Sequence, residues 1–262
     1  MFTHQKELLF PVNVQSPNPS YAAAVLEQFG GANGELKACL QYFVQSFSVK
    51  DPAMKDLLLD IATEEISHLE MVGTCITQLM GGPDKDPSML GGQDVEMASE
   101  GSMMTNAHDF ISSTVQKGMI LGGHGPTLTD SSGSPFSGNF INSVGDLIAN
   151  LESNHAAELR ARKVYEELHR HVQDPGAREM FDFLIQREEA HSLQFEKAIE
   201  VAKELKSEKS YGDKKYSKLY PDLSAGGPGA AQFGFPDAGM ITGPFKGNPD
   251  TDMINGQNPP LQ

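Results

Sequence analysis

The chain has 262 residues, 39% of them hydrophobic and 21% charged, enough to bury a sizeable core and unlike a disordered protein. With 35 acidic against 20 basic residues the formal charge is −15, which leaves no basic surplus for phosphates and excludes nucleic acid as an expected partner. No apolar run approaches the ~18 residues of a membrane span and the opening MFTHQKELLFPV has no signal-peptide core, so a cytoplasmic protein without membrane contact is expected.

Residues 1–19, with Pro11, Pro17 and Pro19, read as an extended arm. From Ser20 the apolar residues Tyr21, Val25, Phe29, Leu36, Leu40, Phe43, Val44 and Phe47 recur near the 3.6-residue helical period. Gly30, Gly31 and Gly34 interrupt that pattern, each weakening a helix by about 1 kcal/mol, and leave room beside Glu35 for a close helix or a ligand. A second helix is predicted over 52–81, ending at Gly81-Gly82. Cys39 and Cys75 fall inside these helices without disulfide or metal-ligand spacing and read as small buried apolar residues. Residues 82–141, rich in Gly, Ser, Met and Pro, form a long crossover with one short amphipathic segment near 104–118.

The third helix is predicted over 141–172 and the fourth over 175–206. The tail, 207–262, holds 9 Gly and 7 Pro among its 56 residues, together with Tyr211, Tyr216, Tyr220, Phe233, Phe235 and Phe245. Those aromatics favour a tail that wraps the bundle or a neighbouring subunit over a free linker. The organisation expected is therefore a helical domain over 1–206 followed by an extended Gly/Pro-rich tail.

One spacing occurs twice. Glu35, Asp51-Pro52, Glu65 and His68 are matched by Glu158, Asp174-Pro175, Glu188 and His191. In each copy the first Glu precedes the Asp by 16 residues (51 − 35 and 174 − 158), and the second follows it by 14 (65 − 51 and 188 − 174). Asp caps a helix and Pro suits its first position, so each Asp-Pro turns one helix back on the preceding one. At 1.5 Å per residue both carboxylates then lie about 20 Å from the turn, at one level. Residues three apart share a helix face, so each Glu-x-x-His offers an oxygen and a nitrogen from one surface. Two such hairpins packed together give four carboxylates and two imidazoles in a bundle interior, the pattern of dimetal carboxylate sites. Glu64 and Glu189 are set aside because only the position three before His is acidic in both copies, and Glu152 because it breaks the 16-residue spacing. His155, three residues before Glu158, is a candidate support for that carboxylate. Carboxylate and imidazole donors suit Mn, Fe or Zn and do not choose among them.

The segments MFTHQKELLF, LEQFGGANGELKACLQYFVQSF, KDLLLDIATEEISHLEMV, AAELRARKVYEEL and DPGAREMFDFLIQREEAHSLQFEKA resemble the manganese catalases, the non-haem dimanganese branch of the ferritin-like superfamily. The resemblance implies an all-α, ferritin-like four-helix bundle that disproportionates hydrogen peroxide to water and dioxygen, cycling two manganese ions per subunit between Mn(II) and Mn(III). It implies Glu35 and His68 as ligands of one ion, Glu158 and His191 of the other, and Glu65 as the bridge. Glu188 becomes the outer carboxylate that moves protons. It further implies a homo-oligomer, a hexamer, and a role against oxidative stress. Some members carry Arg immediately before the third ligand, where this chain has Ala157; Arg160, Arg162 and Lys163 are the nearby cations that could compensate. A di-iron oxidase or peroxidase on the same scaffold, and a structural or metal-storage assembly, are the alternatives.

Overall fold

A computed structural model describes residues 7–82, 118 and 121–205, and the backbone of 219–221 and 239–241. The segment predicted as helical at 104–118 falls almost wholly outside the described residues, as does most of the crossover and the tail. The chain divides into two compact units, Met1–Leu205 and Lys206–Gln262. The first is an all-helical four-helix bundle; within the second, β1 (Leu219–Pro221) and β2 (Gly239–Ile241) pair in parallel, an element not expected from the sequence.

The first bundle position is shared by two helices, where a single interrupted pattern was predicted. α1 runs Pro19–Gly30 and α2 Glu35–Ser46. Gly30 and Gly34 end one and cap the other because neither tolerates a side chain. A Cβ on Gly30 would lie 2.5 Å from the Thr129 carbonyl oxygen, and one on Gly34 2.6 Å from that of Gln28. This break makes Glu35 the first residue of a helix rather than a point within one.

α3 spans Pro52–Leu79, α4 Leu147–His171 and α5 Pro175–Leu205, with a 3-10 turn at Gly138–Phe140 before α4. Both Asp-Pro signals act as predicted. Asp51 Oδ1 accepts the Met54 N–H at 3.0 Å, and Asp174 Oδ1 accepts that of Ala177 at 3.0 Å. Asp174 does more than cap, since its Oδ2 accepts the N–H groups of Gln15 and Ser16 at 2.8 and 3.1 Å and so ties the arm to α5. Gln78 on α3 holds the same arm, through Val14 N–H and the Val12 carbonyl, each at 2.9 Å.

α3 packs on α2 and α1, α5 on α4, and the two pairs meet through α1 and α2 with α4 and through α3 with α5. Glu35 meets Tyr165, Tyr42 meets Glu158 and Gln45 meets Asn154, so α2 and α4 run antiparallel. Two apolar clusters fill the bundle. One gathers Val25, Leu26, Val72, Ile76, Phe181 and Leu184; the other Leu58, Ile61, Leu151, Phe195 and Ile199. Each such side chain stabilises the fold by roughly 1.5–3 kcal/mol on burial. Between the clusters lies a polar layer.

The apolar period overstates the core on α2. Phe43, Val44 and Phe47 are 37%, 44% and 70% exposed, while Gln41 and Gln45 are fully buried. The inward stripe of this helix is polar because it serves that layer.

Candidate metal centre

The doubled spacing delivers its six residues to one place. Glu35 begins α2, Glu65 and His68 lie mid-α3, Glu158 mid-α4, and Glu188 and His191 mid-α5. None is more than 2% exposed. Glu65 lies between the imidazoles: its Oε2 is 3.1 Å from His68 Nδ1 and its Oε1 2.8 Å from His191 Nδ1. Glu35 Oε2 and Glu188 Oε1 stand 3.6 and 3.7 Å from His68 Nδ1, and Glu158 Oε2 3.8 Å from His191 Nδ1.

Two overlapping sets, Glu65–His68–His191 and Glu35–Glu65–His68–Glu188, have donor atoms all within 4.8 Å of one another. Glu158 joins neither set; Glu188 joins the second. Yet Glu65 Oε1, Glu158 Oε2, Glu188 Oε1 and His191 Nδ1 form no aligned hydrogen bond. His191 Nδ1 and Glu65 Oε1 are close without pointing at each other, which is the behaviour of donors converging on a shared third atom. Imidazole nitrogens and carboxylate oxygens at this density fit a pair of first-row divalent ions.

Three supporting groups escaped the sequence reading. Tyr42 donates to Glu158 Oε1 and Tyr165 donates to Glu35 Oε1, each a short bond. Each Tyr lies seven residues after the first Glu of its own copy (42 − 35 and 165 − 158) and serves the Glu of the other. The third is Glu64. Its Oε1 lies 3.5 Å from His68 Nε2 and its Oε2 3.1 Å from His191 Nε2, so one carboxylate spans the outer nitrogens as Glu65 spans the inner ones. Arg187 Nε donates to Glu64 Oε1 at 2.6 Å. Glu64 thereby faces both rings from outside with its charge, although neither Nε2 forms an aligned hydrogen bond. The Glu64–Arg187 pair also lines an open cleft with Leu9, Asp60, Thr63, Ser67 and Phe183.

His155 is half-buried and makes no hydrogen bond among the described residues, so it supports nothing here. The cations expected near Ala157 hold surface partners: Arg160 donates to Asn33, Arg162 pairs with Glu166 and Glu189, and Lys163 with Glu166 and Glu167. The buried cation is one the sequence reading passed over, Lys37.

The electrostatics describe the centre without metal. Burial, then the charge of Glu65, pushes Glu35 up to about 8. Burial, then the charges of Glu35, Glu158 and Glu65, raises Glu188 well above the carboxylate range. Burial alone would lower His191, but the adjacent carboxylates of Glu158, Glu64 and Glu65 more than offset it and raise the ring to about 12. Burial opposes charge on Glu64 as well, but the adjacent rings of His191 and His68 and the hydrogen bonds from Arg187 outweigh it and hold that carboxyl far below its usual range.

Metal loading must displace protons from groups with raised pKa, here Glu35 and His191, so bound protons compete with the metal. Apparent manganese affinity of chelator-stripped protein is therefore expected to fall as pH drops from about 8 to 5, by about tenfold per pH unit for each proton displaced. Manganese titrations across that range check this; a flat affinity would contradict it.

A bundle whose paired helices each supply Glu plus Glu-x-x-His defines the class of ferritin-like dimetal carboxylate proteins. A family profile described as manganese containing catalase matches residues 1–229. A probable manganese catalase of Clostridium acetobutylicum is 44% identical over 229 residues, covering 87% of this chain and 92% of that one. A manganese catalase of Bacillus subtilis is 32% identical over 200 residues, covering 76% and 70%. The crystal structure of KatB, a manganese catalase from Anabaena, superposes with a TM-score of 0.73 at 35% identity, covering 93% of this chain and all of that one. The chain belongs to the manganese-containing catalase family.

Proposed function

We infer that the protein is a manganese catalase that disproportionates hydrogen peroxide to water and dioxygen. The observation that carries this reading is Glu65, whose two oxygens face the inner nitrogens of two histidines from different helices, in a chain of this family. Two manganese ions, when bound, supply the two-electron couple that the reaction needs.

The ligand roles extend the geometry. Glu35 and His68 would hold one ion, Glu158 and His191 the other, and Glu65 would serve both, for two ions per chain. The single 3.8 Å approach of Glu158 to His191 supports its place in the second set, and the Tyr42 hydroxyl fixes its other oxygen. Glu188 takes a proton from peroxide at Oε1 and returns it to the departing oxygen. Its raised pKa and unbonded Oε1 support that task.

The exposed Phe43, Val44, Phe47 and Leu193 support a homo-oligomer, which we take to be a hexamer. No helix among the described residues is long and apolar enough to cross a membrane, in keeping with a cytoplasmic enzyme that protects against peroxide. Residues 1–206 form the catalytic domain and 207–262 an appended tail.

The test is elemental analysis together with oxygen release from peroxide, with light scattering on the same preparation. Two Mn per chain, rapid oxygen evolution and a six-chain mass are expected. Iron without oxygen release would sink the catalase reading, and a smaller mass the hexamer alone.

A further inference from the structure

Lys37 is 2% exposed, and its Nζ has no hydrogen-bond partner among the described residues. A buried ammonium left without acceptors is costly, so a purely structural lysine would be paired. It heads the inward polar stripe of α2, with Gln41 and Gln45 one and two turns on. Those two amides are fully engaged by Asn154 and by the backbone of Asn142. Lys37 alone in that stripe has nothing.

The antiparallel register of α2 and α4 sets Lys37 level with residue 163, within a turn of Ala161 and five residues from Glu158 (163 − 158). α4 is narrow there, with buried alanines at 157 and 161. Gln28 of α1 donates to the Ala161 carbonyl at 2.9 Å, leaving its own Oε1 unbonded. The same stretch of the bundle interior therefore holds an unused cationic donor and two unused acceptors, Gln28 Oε1 and, further along α4, Glu158 Oε2. Burial, then the charge of Arg160, pushes Lys37 down to about 8, while the charges of Glu158 and Glu65 oppose that shift, so its ammonium and the carboxylates of the centre feel one another. The doubled spacing carries a cation two residues after each first Glu, Lys37 after Glu35 and Arg160 after Glu158. Arg160 is exposed and bound to Asn33, and only Lys37 points its charge indoors.

We propose that Lys37 is the anion-holding residue of the metal centre, its buried ammonium retaining hydroperoxide, or a small competing anion such as azide, against the metal pair. Two divalent ions balance the four carboxylates Glu35, Glu65, Glu158 and Glu188. The added ammonium then leaves the centre with one positive charge in excess, which a single anion neutralises. In a chain of net charge −15 an anion reaches such a site only where a cation offsets the surrounding field.

This assignment rests on the catalase reading, and the experiment separates the two. Full-length, manganese-loaded protein is titrated with sodium azide at one neutral pH, followed by the absorption of the metal pair, with manganese measured in each sample. Lys37→Met is expected to keep wild-type manganese, bind azide at least about tenfold more weakly and raise KM for peroxide more than it lowers kcat. Lys37→Arg recovers the affinity to within about threefold of wild type, because the charge returns. A Lys37→Met protein with full manganese and azide affinity within about twofold of wild type overturns the proposal. Loss of manganese overturns it too, since Lys37 would then be holding the donor set. Should the Met variant fail to fold, Lys37→Gln is read in the same way. Wild-type protein without manganese or oxygen release would instead sink the catalase reading itself.

Discussion

His191→Ala is expected to leave a folded helical protein that holds almost no manganese and releases no oxygen from peroxide. His191 works at both ends: Nδ1 lies 2.8 Å from Glu65 Oε1, where a metal would be shared, and Nε2 lies 3.1 Å from Glu64 Oε2. Removing only an outer partner of a ligating histidine already costs about 10–100-fold in affinity or activity, so removing the ring itself should exceed about 100-fold. The fold survives for identifiable reasons. Glu64 keeps His68 and Arg187, and the flanking clusters around Leu184 and Phe195 contain no atom of His191. Carboxylates freed of metal take up protons, the direction in which burial has already pushed Glu35 and Glu188. Elemental analysis and circular dichroism of one preparation decide the matter. A variant with wild-type manganese would remove His191 from the ligand set, and loss of helicity would make it a structural residue.

The doubled spacing was legible because each mark obeys a local rule. Asp-Pro sets a helix start, 1.5 Å per residue sets the level, and three residues keep a face. What stayed hidden depends on pairs that cross between the copies. Glu64 was set aside because its counterpart, Arg187, is not acidic, yet that mismatch is what lets the two pair at 2.6 Å. Both positions immediately precede the second Glu of their copy, so a search for complementary rather than identical residues would have found them. Tyr42 and Tyr165 share an offset of seven and were equally findable, but the apolar and ligand patterns passed over both.

The break between α1 and α2 was only half legible. Three glycines marked it, but the contact that requires it, Gly30 against Thr129, joins residues 99 positions apart (129 − 30). The buried face of α2 was misread for a related reason. Apolar periodicity assigns Phe43, Val44 and Phe47 inward, whereas the polar layer demands Lys37, Gln41 and Gln45 there. A hydrophobic pattern cannot report a helix whose interior partners are carboxylates and amides.

Glu188→Gln is the sharper test of chemistry, because it separates holding metal from moving protons. By spacing, Glu188 is the twin of Glu65, and it stands 3.7 Å from His68 Nδ1 within the second donor set. The two environments nevertheless drive the carboxyls apart. Burial opposes charge on both, but the charge of His68, its hydrogen bond to Oε2 and the adjacent ring of His191 hold Glu65 well below the usual range. For Glu188 burial is reinforced by Glu35, Glu158 and Glu65, and its carboxyl is pushed well up. Under the proposed roles, an anionic bridge and a proton-carrying acid would be cast from one residue type by their neighbours. Gln keeps the shape of the side chain but cannot exchange a proton at Oε1. The expected result is near-normal manganese with kcat lowered by about 10²–10⁴-fold, the usual contribution of a positioned acid or base. Glu65→Gln, by contrast, should lose the metal. A metal-free Glu188→Gln protein would return Glu188 to the ligand set and restore to the two copies the equivalence that their spacing suggests.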